Sequence, residues 1–236
     1  MYDLNKSEIM ELFHFDTATR VISDAYVASS IGHVQTGDVV HLRFPESNGD
    51  CHIKSGHIRH TDTYVVKIAS GFYDNPSNGL PSSNGIMLAF SATTGELVAI
   101  LRDEGWLTDM RTGIGGAIAT KALASRNAER VLIIGSGIQA RFQANCLAAL
   151  MPEKSFNFFI WGRNKNAAAT LVEELRGHNL NVDLALDLNQ QISLSDIIIT
   201  TTPATSALFG DNLVRPGTHV TAFGADTHGK QELPTS

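Results

Sequence analysis

Continuous apolar runs alternate with helix-like stretches along the second half of the chain. These runs predict buried strands at residues 131–134, 156–161, 182–186, 197–201 and 219–223. Helices are predicted between the first three runs, at residues 139–150 and 165–176. Strands that alternate with helices are typical of parallel βαβ units. The pattern therefore predicts an α/β, Rossmann-type domain with a parallel sheet.

The first half has a different rhythm, with helical stretches and strand-like runs separated by turn signals such as Asn78-Gly79 and Thr94-Gly95. The predicted helices cover residues 7–13, 21–30 and 108–126, and the predicted strands cover residues 38–44, 63–69, 86–91 and 97–102. Thr108 is expected to cap the third helix. We therefore predict an N-terminal α+β domain over residues 1–126 and the Rossmann domain over residues 127–236.

Composition narrows the function classes. The chain has 236 residues, of which 43% are hydrophobic and 18% are charged, so it can bury a core. The net charge of −6, with scattered acidic residues, argues against a nucleic-acid surface, which needs clustered Lys and Arg. No apolar run reaches the length of a membrane span, no signal peptide is visible, and the two cysteines form no disulfide framework. A cytoplasmic location is the expectation.

A glycine-rich loop, Gly-Ser-Gly-Ile-Gln-Ala at residues 135–140, follows the first apolar strand and opens a helix. Gly135 permits a tight turn, and Gly137 lets the backbone approach a pyrophosphate. Ala140 is the third small residue, where helix and strand pack closely. Because free N–H groups and the positive end of the helix dipole favour phosphate there, the loop predicts NAD(P) binding. The alternative is a mere strand–helix turn.

The end of the second Rossmann strand bears on the choice of cofactor. Sites that prefer NAD usually place Asp or Glu there, on the ribose hydroxyls. This strand ends in Trp-Gly-Arg-Asn at residues 161–164, and Arg163 could pair with a 2′-phosphate. The charge favours NADP(H). In the alternative, Arg163 stacks over the adenine or lies in solvent while NAD binds.

Three cations of the first half occupy unusual positions. Arg43 lies in a strand with one apolar face, and Lys67 lies in an almost wholly apolar run. Arg111 is expected in the first turn of its helix, where a cation opposes the dipole. A shared anion such as a substrate carboxylate would resolve all three conflicts. Internal salt bridges or snorkelling are the alternative.

Three histidines, His52, His57 and His60, lie in a segment that we expect to be a polar loop. Their spacing matches no standard set of metal ligands, so no metal site is predicted.

Three motifs in this order resemble the ornithine cyclodeaminase/mu-crystallin family, and the resemblance covers nearly the whole chain. They are Leu-Thr-Asp-Met-Arg-Thr at residues 107–112, the phosphate loop, and Gly224-Ala225-Asp226 followed by Lys230, Gln231 and Glu232. Residues 67–95 are most similar to the branch that contains ectoine-utilisation proteins. Residues 161–164 are similar to the same segment in NADPH-using ketimine reductases.

This resemblance implies roles for individual residues. Arg43, Lys67 and Arg111 match the positions that hold the substrate carboxylate, and Lys67 and Asp226 match catalytic positions, Asp226 as the acid/base. For Asp226, a turn-capping side chain is the alternative. Four loop positions and one threonine match cofactor-binding positions: Gly135, Gly137, Ile138, Gln139 and Thr201.

The implied activity is an NAD(P)-dependent oxidoreductase or cyclodeaminase that acts at the α-carbon of a small amino or cyclic imino acid. A homodimer is implied, with residues 1–126 binding substrate and forming the dimer. This sequence departs from the family in two ways. Ser83 stands where mu-crystallin-like proteins tend to have His. Family members also usually continue further, so we expect that a C-terminal part is missing. The alternative function is a non-catalytic, nucleotide-binding protein like the crystallin.

Overall fold

A computed structural model, which describes residues 1–225 and 229–235, divides the chain into two compact units. The first unit comprises residues 1–111 and the second comprises residues 112–236. The division falls inside the helix Trp106–Leu123, whereas the sequence pattern placed the boundary at residue 126, after that helix.

The first unit is a mixed sheet with two helices, as the α+β prediction required. Its strands are β1 (Tyr2–Asn5), β2 (Val34–Thr36), β3 (Val40–Phe44), β4 (Gly49–Ile58), β5 (Thr63–Phe72), β6 (Ser83–Ser91) and β7 (Leu97–Arg102). The helices α1 (Lys6–Leu12) and α2 (Phe15–Ser30) lie between β1 and β2 in the chain. The strand order is β1-β7-β6-β5-β4-β2, and β3 also pairs with β4. Only the β1–β7 pair is parallel among these strands of the described residues.

Strand β4 occupies the segment that was predicted to be a polar loop, so that prediction was wrong. Polar and apolar residues alternate along it, with Asp50, His52 and Lys54 on one face and Cys51 and Ile53 on the other. This alternation is typical of an antiparallel strand. Its ten residues pair with β5 along nearly their whole length, so backbone pairing outweighs the polar composition.

The start of α3 (Trp106–Leu123) also differs from the prediction. The helix begins at Trp106, and Asp103 rather than Thr108 caps it, because Asp103 Oδ2 accepts a hydrogen bond from Leu107 N at 2.8 Å. Arg111 therefore lies in the second turn, where the helix dipole acts on a cation more weakly than in the first.

The second unit is a five-stranded parallel sheet with helices. Its strands are β8 (Arg130–Ile134), β9 (Asn157–Trp161), β10 (Val182–Leu184), β11 (Ile197–Thr200) and β12 (His219–Ala222). The helices are α4 (Ile138–Leu150), α5 (Lys165–Gly177) and α6 (Leu188–Leu194), and α6 was not predicted. The order β10-β9-β8-β11-β12, with every pair parallel, confirms the Rossmann-type fold.

Apolar burial is greatest in the two central strands of this sheet. Residues 131–134 of β8 and 197–199 of β11 are at most 1% exposed. Strands with both faces covered read as continuous apolar runs, which is why the sequence located them. No helix of the described residues is both long and apolar enough to cross a membrane.

One of the two cysteines, Cys146, lies where two helices of the second unit pack closely. A Cβ atom on Gly113 of α3 would lie 2.8 Å from the Cys146 sulfur of α4. Cys146 is 2% exposed, and burial raises the pKa of its thiol to about 12. The prediction that it is a buried small apolar residue is confirmed.

Candidate functional site

The phosphate loop connects β8 to α4, and the first glycine of this loop is required by the protein itself. Gly135 has φ of 134°, which side chains rarely adopt, and its N–H donates to Trp161 O at 2.8 Å. A Cβ atom at this position would collide with Thr201 Oγ1. Gly135 therefore permits both the turn and the close approach of the end of β11.

The second glycine has a different environment. Gly137 is the N-cap of α4, is exposed, and adopts φ of −91°, which any residue tolerates. Nothing lies within 4 Å of a Cβ atom built there. Ile138 and Gln139 begin the helix, and Ala140 is fully buried. The open space at the helix N-terminus fits a phosphate-bearing ligand, whose backbone contacts a side chain would obstruct.

Thr201 and Arg163 lie at the carboxyl ends of strands that flank β8. Thr201 N donates to Ile134 O at 2.9 Å, and its hydroxyl donates to the same oxygen at 3.3 Å. Arg163 follows β9 and is exposed, without an ion pair to any described residue. The neighbouring Gly162 lies beside the loop, since a Cβ atom there would be 3.0 Å from Ser136 Oγ.

A buried carboxylate joins the ends of β11 and β12. Glu232 is 1% exposed and accepts four hydrogen bonds. Its Oε1 accepts from Thr202 N at 2.6 Å and Thr202 Oγ1 at 2.8 Å, and its Oε2 accepts from Thr200 Oγ1 and Gly224 N, both at 2.7 Å. Charge-assisted hydrogen bonds of this kind are stronger than neutral ones. Glu232 thus fixes the loop ends where the sheet presents its ligand-binding edge.

Gly224 lies just after β12, two residues before Asp226. Its small size is required within the protein, because a Cβ atom would collide with Thr202 O and lie 2.6 Å from Glu232 Cδ. Asp226 itself lies outside the described residues.

Three cations of the first unit, Arg43, Lys54 and Lys67, lie on one face of its sheet. Lys67 of β5 is directly opposite Lys54 of β4, and Arg43 of β3 is directly opposite Asp50 of β4. Residues at even spacing along a strand share a face, and directly paired residues do too. Arg43 and Lys67 therefore lie on the same face of the sheet, but they are not in register with each other.

Among the described residues of this unit, Lys67 has the most clearly shifted pKa. Burial, the largest cause, and the nearby charges of Arg111 and Lys54 together lower the pKa of Lys67 to about 8, against the raising effect of Asp103 and Asp109. The fold therefore brings Lys67 close to Arg111. A lysine that titrates near neutral pH can bind an anion and can also move a proton.

Both acids near Lys67 have other polar contacts. Asp109 Oδ2 accepts a hydrogen bond from Ser83 Oγ at 3.1 Å. Asp103 is 1% exposed and caps α3. Ser83, at the position where the resembled proteins tend to have His, thus holds an acid beside the lysine.

His52 belongs to a cluster that the sequence did not reveal. His41 and His52 stack with ring centroids 4.3 Å apart and planes at 23°, and Asp50 Oδ1 is 3.7 Å from His52 Nε2. Imidazole lone pairs lie in the ring plane, so two nearly parallel rings do not direct them at a common ion. These three residues present no converging set of metal ligands in this arrangement.

Sequence reasoning missed Lys54, Asp50 and Asp103, and it named Glu232 only as part of the motif that follows Asp226. The alternation along β4 would have placed Lys54 and Asp50 on a polar strand face. The contacts of Asp103 and Glu232 had no local signal beyond their charge.

A family model and several relatives match nearly the whole chain. The family model of the ornithine cyclodeaminase/mu-crystallin family matches residues 3–236. An uncharacterised cyclodeaminase of Sinorhizobium fredii is 36% identical over 233 residues, which cover 98% of this chain and 70% of that protein.

Two solved structures resemble the whole fold. An archaeal alanine dehydrogenase dimer with bound NAD has a TM-score of 0.87 at 28% identity, covering 99% of this chain and 70% of the other. The Δ1-pyrroline-2-carboxylate reductase of Thermococcus litoralis, in complex with NADH and L-proline, has a TM-score of 0.89 at 25% identity, covering 99% and 72%. The chain belongs to the ornithine cyclodeaminase/mu-crystallin family.

Proposed function

We propose that this protein is an NAD(P)-dependent enzyme that transfers hydride at the α-carbon of a small amino or cyclic imino acid, as an imino acid reductase or a cyclodeaminase. The observation that carries the proposal is the open helix N-terminus at Gly137, at the carboxyl edge of a parallel sheet. Relatives of known activity are enzymes of this kind, including an alanine dehydrogenase and a pyrroline-2-carboxylate reductase.

In this proposal the second unit binds the dinucleotide. Backbone N–H groups at Gly137, Ile138 and Gln139 hold the pyrophosphate, and Gly135 keeps the turn tight. Thr201 lies beside the loop and contacts the nicotinamide side. The nicotinamide supplies the hydride chemistry, and the protein supplies binding, orientation and charge.

The first unit holds the substrate. Arg43, Lys67 and Arg111 bind its carboxylate, of which Lys67 and Arg111 are brought together by the fold. An imine must gain a proton on reduction, and an amine must lose one before hydride leaves its carbon. Lys67 and Asp226 are the proposed acid/base groups. A lysine with a pKa lowered to about 8 favours a catalyst over a protein that merely binds nucleotide.

The Gly137→Ala variant tests the cofactor site. Because a Cβ atom at Gly137 meets nothing in the protein, the melting temperature should stay unchanged. The same atom would displace the pyrophosphate and cost about one charge-assisted hydrogen bond, about 1.5–3 kcal/mol. We therefore expect the cofactor to bind about 10- to 100-fold more weakly in a fluorescence titration, with a matching loss of turnover followed by cofactor absorbance.

The matched control is Gly177→Ala, at the last residue of α5, where a Cβ atom also meets nothing within 4 Å. It should leave cofactor affinity unchanged and should not lower stability. Equal cofactor affinity in both variants, or no turnover of any amino or imino acid by the unmodified chain, would contradict the proposal.

We further propose that NADP(H) binds more tightly than NAD(H), because Arg163 is exposed beside the phosphate loop where an acid would select NAD. Replacing Arg163 by Ala should weaken NADPH binding about 10-fold, the value of one charge-assisted contact, and leave NADH binding nearly unchanged. Parallel fluorescence titrations measure both. Tighter binding of NADH by the unmodified chain would reject the preference, and stacking on adenine would instead weaken both cofactors equally.

We also propose a homodimer formed through the first unit, in a reducing cytoplasm. Large apolar side chains of this unit are exposed, including Leu42 and Phe44 on β3 and Tyr26 and Val27 on α2. A surface of this kind is typical of a protein interface. Both cysteines are buried, and neither forms a disulfide among the described residues, which fits a reducing compartment.

A further inference from the structure

We propose that the substrate is an acidic amino acid or the corresponding imino acid, and that Lys54 binds its second carboxylate. This inference rests on the proposed function and names the substrate class of the same site.

The pairing of β4 with β5 places two lysines directly opposite each other. Lys54 and Lys67 are partners in the continuous register of these strands, so their side chains leave the same face. Like charges in directly opposite positions destabilise a sheet. The charge of Lys54 is one of the causes that lower the pKa of Lys67.

Four charged groups act on Lys67. The cations Arg111 and Lys54 lower its pKa, and the acids Asp103 and Asp109 raise it. Asp103 is buried and caps α3, and Asp109 accepts the Ser83 hydroxyl. Lys54 forms no ion pair with any residue in the described ranges 1–225 and 229–235.

A substrate with one carboxylate gives Lys54 no ion-pair partner, because that carboxylate would bind Lys67 and Arg111. A second carboxylate would pair with Lys54, which is exposed and lies directly opposite Lys67. A substrate with a distal ammonium would instead repel Lys54. The geometry thus favours acids such as glutamate and aspartate over neutral and basic amino acids.

The test compares each acid with its uncharged amide, since glutamate and glutamine, or aspartate and asparagine, have nearly the same size. With saturating cofactor, kcat/KM for the better acid should exceed that for its amide at least about 10-fold, as one charge-assisted hydrogen bond predicts. In Lys54→Met this ratio should fall to about one, because only the distal contact is lost. Lys54→Arg should keep the preference, and Lys54→Glu should reverse it towards ornithine.

The control is Lys121→Met, an exposed lysine in the last turn of α3, which should leave the ratio unchanged. The inference is overturned if Lys54→Met does not alter the ratio, or if an amide is used as well as its acid. In either case, turnover of any amino acid still supports the proposed function. No turnover of any amino or imino acid would overturn both. The ratio separates recognition from folding, since a misfolded variant would lose both substrates equally.

Discussion

Replacing Lys67 with methionine should lower kcat/KM for the amino or imino acid by about 10³-fold. Methionine has nearly the length of lysine and suits the partly buried position, but it can neither pair with a carboxylate nor move a proton. The first loss costs about 1.5–3 kcal/mol of binding, and the second removes a general acid/base, which contributes about 10²- to 10⁴-fold. Steady-state kinetics on the best substrate of the panel measures the effect.

The pH dependence of binding should show that the ammonium form of Lys67 is the one that binds the carboxylate. Burial and the neighbouring cations Arg111 and Lys54 hold the pKa of Lys67 at about 8, so the free protein loses this charge as the pH rises through that value. Affinity for a carboxylic acid that carries no amine should then fall about tenfold per pH unit above 8. Lys67→Arg stays charged and should not show this fall near pH 8.

Stability should move in the opposite direction from activity. The pKa of Lys67 is lower in the folded protein than the ordinary value of 10.5, so the unfolded chain binds more protons between about pH 8 and 10.5. The ammonium therefore costs stability below pH 8, and this cost disappears as the pH rises through that window. We expect Lys67→Met to melt at or above the temperature of the unmodified protein at pH 7.

Lys121→Met is the control for both measurements, since Lys121 is exposed on α3. It should change neither kcat/KM nor the melting temperature. A Lys67→Met variant that unfolds at pH 7 would make Lys67 a structural residue, and one that keeps full turnover would remove it from the site.

Replacing Glu232 with leucine should lower the free energy of unfolding of the second unit by about 3–5 kcal/mol. The carboxylate accepts hydrogen bonds from two backbone N–H groups, at Thr202 and Gly224, as well as from two hydroxyls. Hydroxyls can rotate to new acceptors, but the two backbone donors cannot. Each buried donor left without an acceptor costs about 1–3 kcal/mol, and the lost contacts to a charged group add to this.

Urea unfolding gives the global effect, and amide hydrogen exchange at Thr202 and Gly224 gives the local one. The loss of stability in Glu232→Gln should be smaller than that in Glu232→Leu, because an amide keeps one oxygen acceptor but turns its NH2 group towards another donor. Glu173→Leu is the matched control on the exposed face of α5, where its ion pair with Arg176 is mostly in solvent. It should stay within about 0.5 kcal/mol. A Glu232→Leu variant as stable as this control would mean that water replaces the carboxylate.

Much of the second unit could be predicted from the sequence alone. The strands β8 and β11 are buried on both faces and therefore consist of uninterrupted apolar residues. The glycine-rich loop follows one of them directly. Both signals are local in the sequence, which is why the parallel sheet, the phosphate loop and the cofactor class were accessible without coordinates.

The first unit depended on pairing between distant segments. Strand β4 has a polar face and was mistaken for a loop, and β1 adds to the sheet only by pairing with β7, about a hundred residues away in the chain. Without the pairing of β4 with β5, nothing in the sequence indicates that Lys54 faces Lys67. The local pattern gave the residue types, and the strand register decided which of them are neighbours.

The sequence by itself predicted Arg43, Lys67 and Arg111 as candidate carboxylate-binding cations and located the dinucleotide loop that opens α4. Only the tertiary structure decided that Lys67 meets Arg111 and Lys54, that Asp103 caps α3, and that Glu232 ties two strand ends together. The physical reason is the range of the forces involved. Propensity and periodicity act over a few residues, whereas charge repulsion and buried hydrogen bonds depend on distances in space that folding alone establishes.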